Sequence, residues 1–276
     1  MGPESSRQWN KKGELMHSGF EGLKVVIAGG FRGMGLELAR MLLDARAKVF
    51  VIGRSESGQQ AAREELASTS DTKDLELFST DLESPDGVRS AYERVREWGN
   101  GQLDQLAVFV GSGKTPQGHS FPLQHWQKVF HTNFFTPLEI VQTFLPLIEE
   151  SRKHPCIILT AAIAGVERVR APMTYSLAKT SLLAYVSHLA EALAPKGIRV
   201  LSVSPGNVLY KGGRWEEIIS ERPEEIERFI RSEVGMQRFG TPKELAWVYF
   251  TNMSPCNSFS TGQNIICDGL QVSRIF

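Results

Sequence analysis

Two residues of one predicted helix are suited to acid–base chemistry. Tyr175 and Lys179 are four positions apart, so on a helix their side chains share a face and the Lys179 ammonium lies near the phenol. A phenol with a pKa of about 10 is an inefficient acid–base group near neutrality unless a nearby cation favours the phenolate. Because this spacing occurs by chance in many helices, the pair indicates proton transfer only together with a further motif.

A glycine-rich turn near the start of the chain supplies such a motif. It spans residues 28–35, directly after a predicted strand and at the mouth of a predicted helix. Glycine is needed where backbone turns tightly or approaches a pyrophosphate, and a helix N-terminus offers free N–H groups to that anion. A flexible loop without a ligand is the alternative, but the strand-turn-helix context favours a dinucleotide site. Its residues are Gly29, Phe31, Arg32, Gly33, Met34 and Gly35.

The elements that must position these residues follow an alternating pattern from residue 23 onward. Short β-branched runs alternate with longer segments of helical periodicity, which predicts a parallel sheet with helices on both faces. Seven strands are predicted, at residues 24–28, 48–52, 75–80, 105–110, 156–161, 199–203 and 264–267. Right-handed crossovers on such a sheet give a single doubly wound Rossmann-type domain of class α/β, with ligands at the carboxyl ends of the strands.

Helical periodicity is clearest in six segments. They lie at residues 33–45, 58–67, 85–98, 124–150, 173–194 and 242–253. Pro146 should kink or terminate the fourth of them, because proline lacks the N–H that a helix interior needs.

The glycine spacing, Gly-x3-Gly-x-Gly, resembles the turn of the short-chain dehydrogenase/reductase superfamily, T-G-x-x-x-G-x-G. The resemblance covers about residues 23–269, and further family motifs follow in order. They are Asp81-Leu82, Asn133, Tyr175-Ser176-Leu177-Ala178-Lys179 and Ser204-Pro205-Gly206. Residues 238–242, 261–263 and 268–269 resemble the 3-oxoacyl-carrier-protein reductase branch of that family.

The resemblance implies roles for these residues. In the family the tyrosine donates a proton to a substrate carbonyl as hydride arrives from nicotinamide, the lysine also holds the nicotinamide ribose, and the asparagine helps hold a water-linked proton path. These roles carry over to Tyr175, Lys179 and Asn133, and contact with the adenine ring carries over to Asp81. Further cofactor contacts are expected at Leu82, Gly111, Lys179, Pro205, Gly206 and Val208.

The choice between the two nicotinamide dinucleotides depends on charge near the end of the second strand. A carboxylate there would accept a hydrogen bond from the ribose 2′-OH and repel a 2′-phosphate, whereas arginine does the reverse. This chain has Arg54 after Gly53, and Arg32 matches a second position at which NADPH-using relatives often carry a basic residue. Either arginine could instead be a solvated surface residue. We expect NADP(H).

One expected catalytic group is missing. The family places a serine thirteen residues before the tyrosine to orient the carbonyl oxygen, and this chain has Ala162 there. Thr160 lies on the same side of an extended segment and could substitute, and Ser112 is a further candidate substrate contact. Loss of one such donor typically slows a reaction on the order of a hundred- to a thousandfold.

Several functions therefore stay open. The chain could be a slow reductase, use another hydrogen-bond donor, reduce an activated double bond, or bind the cofactor as a weakly catalytic subunit or sensor. Tyr210 stands where the family commonly has a nicotinamide-contacting threonine, a second departure from its pattern.

Composition excludes other classes. Lys plus Arg and Asp plus Glu number 31 each among 276 residues, so no bulk basic field is available for nucleic acid. The spacing of the three cysteines and six histidines indicates neither a disulfide framework nor a metal site. No signal-peptide pattern or membrane-spanning apolar run is evident, and a cytoplasmic protein is expected.

The predicted organisation is simple. Residues 1–22 form a tail, and residues 23–276 form the domain. Within it the charged segment 208–233 has the character of a lid over the substrate, although a plain surface insertion would look the same. The expected substrate is a small or carrier-tethered carbonyl compound, and a homodimer or homotetramer is expected by analogy with the family.

Overall fold

The computed structural model describes residues 19–273 and contains one seven-stranded parallel sheet. The strands are β1 (Lys24–Ala28), β2 (Lys48–Gly53), β3 (Leu75–Ser79), β4 (Gln105–Val108), β5 (Cys156–Thr160), β6 (Arg199–Pro205) and β7 (Asn264–Cys267). Their order in the sheet is β3-β2-β1-β4-β5-β6-β7. The strand order reverses between β1 and β4, which is where doubly wound sheets open a ligand crevice. The predicted fold class is confirmed.

Ten α-helices join and cover the strands of the described chain. They are α1 (Gly33–Asp44), α2 (Glu56–Ala67), α3 (Pro85–Trp98), α4 (Leu123–Phe130), α5 (Thr136–Glu149), α6 (Ile163–Val166), α7 (Met173–Leu193), α8 (Arg214–Glu221), α9 (Pro223–Glu233) and α10 (Pro242–Met253).

The sheet is buried on both faces, as its near-continuous apolar strands require. On one face α3, α5 and α7 pack against residues such as Val26 and Leu159. On the other face α1, α2 and α10 pack against residues such as Ile27 and Ile158. The alternation of side chains along each strand therefore decides which helix layer a residue meets.

The helix predicted at residues 124–150 is divided. A π-helical turn, His131–Phe135, separates α4 from α5. Pro146 lies inside α5, which continues to Glu149, so the break comes from the π turn and not from the proline. Such turns often occur at functional sites, and this one carries Asn133.

The packed domain includes part of the predicted tail. Phe20 is fully buried, and its ring centroid lies 4.6 Å from that of Phe250 in α10. Residues 1–18 of that tail lie outside the described residues. Within residues 19–273, none of the helices combines the length and the apolar character that crossing a membrane would need.

Candidate functional site

The glycine turn between β1 and α1 presents main-chain atoms that no glycine side chain covers. Gly29 and Gly33 have φ of 87° and 58°, a region that glycine enters without strain. A Cβ on Gly35 would lie 2.7 Å from the Gly30 Cα, so a side chain at position 35 would separate α1 from the turn. The first N–H groups of α1 have no intrahelical acceptors, and such a helix start fits the pyrophosphate of a dinucleotide.

Two further residues of the turn are apolar and line its edges. The Phe31 ring lies over the end of β2, where a Cβ on Gly53 would come within 2.1 Å of it. Met34 is partly buried against the core that α1 covers. Because Phe31 fills the space above Gly53, a side chain at position 53 is excluded. The next residue, Arg54, has an exposed side chain.

Arg54 is held by acidic side chains. Its Nη2 donates to Glu83 Oε1 at 2.7 Å, and its Nε lies 3.9 Å from Asp81 Oδ1. Asp81 also accepts a hydrogen bond from the Glu83 main-chain N–H, while Leu82 between them is buried in the core. Sequence reasoning did not single out Glu83, since its proximity to Arg54 arises only when the ends of β2 and β3 lie side by side.

The other candidate cation, Arg32, lies at the N-cap of α1. Its side chain is exposed and its Nη1 donates to the Gly212 carbonyl at 3.1 Å. A hydrogen bond to a carbonyl leaves the positive charge of the guanidinium uncompensated. Arg32 therefore keeps its charge available at the edge of the glycine turn.

The Asn133 side chain connects the π turn to the loop after β4 through hydrogen bonds. Its Oδ1 accepts from the Ser112 N–H at 2.9 Å, and its Nδ2 donates to the carbonyls of Ser112 and Val129, both at 3.0 Å. The side chain is 1 % exposed, so all of its polar atoms are satisfied internally. The Ser112 hydroxyl is on the exposed side of the loop and accepts from the Lys114 N–H.

Lys179 lies at the centre of the site. Its ammonium donates to the Thr160 carbonyl at 2.9 Å and lies 5.9 Å from the centroid of the Tyr175 ring. A Cβ on Gly111 would come within 3.0 Å of this ammonium and 3.1 Å of Asn133 Oδ1. The structure thus brings Gly111 and Asn133, which are far apart in the sequence, to the Tyr175–Lys179 pair.

Burial controls the protonation of this pair. Lys179 is 2 % exposed, and desolvation lowers its pKa to about 8, since a charged amine loses hydration there. No carboxylate among residues 19–273 acts on this pKa, and burial is its one cause. Desolvation raises the pKa of Tyr175 to about 12, so at neutral pH the phenol carries its proton.

Ala162 and Thr160 occupy the end of β5. Ala162 is buried at the extended N-cap of α6 and brings no hydroxyl to the site. Thr160 Oγ1 accepts from the Tyr249 hydroxyl at 2.8 Å. Tyr249 is a buried residue of α10. The hydroxyl of Thr160 therefore has a protein partner, and its use as a substitute for serine stays a prediction.

The segment after β6 packs against the C-terminal turn. A Cβ on Gly206, which follows Pro205, would come within 2.2 Å of Gln271 Oε1, and this oxygen accepts from the Asn207 N–H at 2.8 Å. Val208 is buried and pairs with Gly240. Glycine is needed at 206 because the neighbouring chain leaves no room for a side chain.

Residues 208–233 contain α8 and α9, with their own apolar cluster that includes Trp215 and Phe229. Two contacts join this segment to the site. The Tyr210 ring lies 3.1 Å from where a Cβ on Gly33 would be, and Lys114 Nζ lies 2.6 Å from Glu217 Oε1 of α8.

The described part of the chain contains no cluster of metal-binding side chains. Among residues 19–273, no group of three or more histidine, cysteine or acidic side chains is placed to hold a metal ion.

Comparison with known proteins decides the family. The family model described as short chain dehydrogenase matches residues 24–214, which includes the glycine turn and the Tyr175 helix. The chain belongs to the short-chain dehydrogenase family. This short-chain dehydrogenase is accordingly an oxidoreductase of a family that uses NAD(P)H.

Individual relatives match along nearly the whole chain. Isoepoxydon dehydrogenase of Penicillium expansum is 30 % identical over 259 residues, covering 92 % of this chain and 96 % of the relative. The 3-oxoacyl-acyl-carrier-protein reductase of rhamnolipid biosynthesis from Pseudomonas aeruginosa is 27 % identical over 260 residues, covering 92 % and 98 %. The structure of L-sorbose reductase from Gluconobacter frateurii, complexed with NADPH and L-sorbose, superposes with a TM-score of 0.86 at 22 % identity, covering 94 % and 100 %.

Proposed function

We propose that this short-chain dehydrogenase is an NADP(H)-dependent enzyme that reduces a carbonyl of a small or carrier-tethered substrate, with Tyr175 as the proton donor. One observation carries the proposal: the buried Lys179 ammonium is held by the Thr160 carbonyl, 5.9 Å from the Tyr175 ring. A cation near a phenol favours the phenolate that proton donation leaves behind, which acts against the burial that raises the pKa of Tyr175.

The protonation state of Tyr175 favours reduction. Its pKa of about 12 keeps the phenol protonated near neutrality, which is the form that an acid catalyst needs. No group of residues 19–273 hydrogen-bonds to its hydroxyl, so the proton is free to be given to a substrate oxygen. The Lys179 amine, with a pKa of about 8, can hold or release a proton within the physiological range.

The glycine turn and two arginines support the binding of NADP(H). When bound, the reduced nicotinamide supplies the hydride. Gly29, Gly33 and Gly35 allow close approach of the pyrophosphate to the start of α1, and Arg54 and Arg32 offer positive charge to a 2′-phosphate. The NADPH in the L-sorbose reductase complex supports the same choice.

Relatives support a carbonyl or alcohol substrate. This chain matches 96 % of the length of isoepoxydon dehydrogenase and 98 % of the length of the 3-oxoacyl-acyl-carrier-protein reductase. Segment 208–233, tied to the site by Lys114 and Tyr210, would cover the substrate. Exposed Phe135 and Leu177, in or beside the helices that the family uses for subunit contacts, suit a homo-oligomer.

The test begins with fluorescence titrations using NADPH and NADH. Absorbance at the nicotinamide band is then followed with ketones, 3-oxoacyl thioesters and enones. We expect NADPH to bind more tightly and one carbonyl class to be reduced, and Tyr175→Phe to bind NADPH normally while losing at least about a hundredfold in kcat. Unchanged turnover by Tyr175→Phe would show that the tyrosine is not the proton donor. Reduction of enones alone would replace the carbonyl reaction by double-bond reduction.

A further inference from the structure

The side chain of Glu83 lies beside a residue that the proposed function assigns to the part in which the two nicotinamide dinucleotides differ. Its Oε1 accepts from Arg54 Nη2 at 2.7 Å, and Arg54 is the residue that the proposed function assigns to the 2′-phosphate. A second carboxylate, Asp81, lies 3.9 Å from the same guanidinium. One cation therefore faces two anions at the exposed ends of β2 and β3.

Glu83 is fixed in this position from its other side. Its Oε2 accepts from the Thr132 hydroxyl at 2.8 Å, and its main-chain carbonyl accepts from His131 Nε2 at 2.8 Å. Both partners belong to the π turn that carries Asn133. The Glu83 side chain is 27 % exposed, against 72 % for Arg54, so the carboxylate is the more buried member of the pair and is anchored from its other side as well.

This arrangement has opposite effects on the two cofactors. A 2′-phosphate carries a charge of about −2 at neutral pH and must share Arg54 with a carboxylate that Thr132 also holds. A ribose 2′-OH carries no charge and can donate a hydrogen bond to a carboxylate at the end of such strands. Like-charge repulsion therefore weakens binding of the phosphorylated cofactor alone.

We propose that Glu83 is a specificity-determining residue, whose anchored carboxylate neutralises Arg54 and so limits the preference of the enzyme for NADPH over NADH. This inference rests on the proposed function and deepens it. Glu83 acts on the cofactor through Arg54, and Thr132 and His131 keep its carboxylate in place.

The experiment measures dissociation constants of NADPH and NADH by fluorescence titration, without substrate, for wild type and Glu83→Gln. Glutamine keeps the shape and can still accept from Thr132, but it removes the negative charge. We expect NADPH to bind about three- to tenfold more tightly and NADH to change by less than about twofold. The difference in the NADPH dissociation constant between wild type and Glu83→Gln should shrink as ionic strength rises, because the charged groups are partly exposed.

Two matched variants separate charge from structure. Glu93→Gln neutralises a comparable exposed carboxylate, which pairs with Arg96 at 2.8 Å on α3, and should leave the ratio of the two dissociation constants unchanged. In an Arg54→Met background, Glu83→Gln should move that ratio less than it does in wild type, because no guanidinium is left to release and only the direct repulsion of the phosphate is removed.

Each outcome bears on the inference. Equal changes for both cofactors, or weaker NADPH binding by Glu83→Gln, would show that Glu83 only supports the fold or orients Arg54, and would overturn it. A wild type that prefers NADH but gains NADPH affinity through Glu83→Gln would uphold the inference while contradicting the cofactor preference of the proposed function. No binding of either cofactor by wild type would overturn both.

Discussion

At the scale of single residues, the site combines the expected acid–base pair with an apolar residue where a hydroxyl is usual. Tyr175 and Lys179 come together as their spacing requires, four positions apart on α7. Ala162 lies at the extended N-cap of α6 with 7 % of its surface exposed. A serine there would fit, because serine is favoured at such positions and is only slightly larger than alanine.

Ala162→Ser should therefore increase the rate. A hydroxyl that donates to the carbonyl oxygen strengthens as charge develops, and donors of this kind contribute on the order of a hundred- to a thousandfold in kcat. We expect at least about a tenfold increase in kcat with little change in KM, measured by steady-state kinetics on the substrate identified from the panel. Ala161→Ser, one position earlier and also buried, is the matched control. Equal rates for wild type and Ala162→Ser would show that another donor already acts.

At the scale of elements, the position of α10 matters for the site because its Tyr249 binds Thr160 from beneath the sheet. The last turn of α10 is held by a buried charge. Arg199, 7 % exposed at the start of β6, donates to the carbonyls of Asn252 and Met253 at 2.8 and 3.0 Å. Carbonyls at a helix C-terminus lack intrahelical donors and attract cations.

Arg199→Met should destabilise the protein by about 2–4 kcal/mol, because it removes several buried hydrogen bonds from a charged donor. Urea unfolding followed by circular dichroism measures this change. Arg96→Met on the exposed face of α3 should change the free energy of unfolding by less than about 0.5 kcal/mol. If the two variants unfold at the same urea concentration, the hydrogen bonds of Arg199 contribute nothing to stability.

At the scale of the whole molecule, the burial of Lys179 reduces stability. The pKa of Lys179 falls from 10.5 to about 8 on burial. Below about pH 8 both folded and unfolded states are protonated there, and the full cost of burying the charge is present. Between about pH 8 and 10.5 the unfolded chain binds more protons at this site than the folded one, so the contribution of Lys179 to stability rises with pH.

Comparison with Lys179→Met isolates this contribution, since the other titrating groups are common to both proteins. Between pH 7.5 and 9.5 the free energy of unfolding of wild type should rise relative to that of the variant by on the order of 1–2 kcal/mol. Urea unfolding at a series of pH values provides the measurement. Parallel curves for the two proteins would mean that Lys179 titrates at its ordinary pKa.

The sequence alone determined the class of the fold, because continuous apolar strands alternating with helical periodicity can be buried only as a parallel sheet between helix layers. It also determined the glycine turn and the pairing of Tyr175 with Lys179, since both depend on local spacing. The predicted strand ends were less accurate than the predicted fold class. The division of the helix predicted at residues 124–150 was not anticipated at its actual position, because a π turn such as His131–Phe135 leaves no periodic signal in the sequence.

Only the tertiary structure decided what depends on contacts between distant segments. Thr160 meets Tyr249, 89 positions away, because the alternation along β5 turns its side chain toward α10. Glu83 meets Arg54 because parallel pairing sets the ends of β2 and β3 side by side. Burial of Lys179, and with it the lowered pKa of its amine, follows from packing against β5 and the loop of Gly111. Spacing along a chain contains no information on these distances, since they are set by the layering of helices on the sheet.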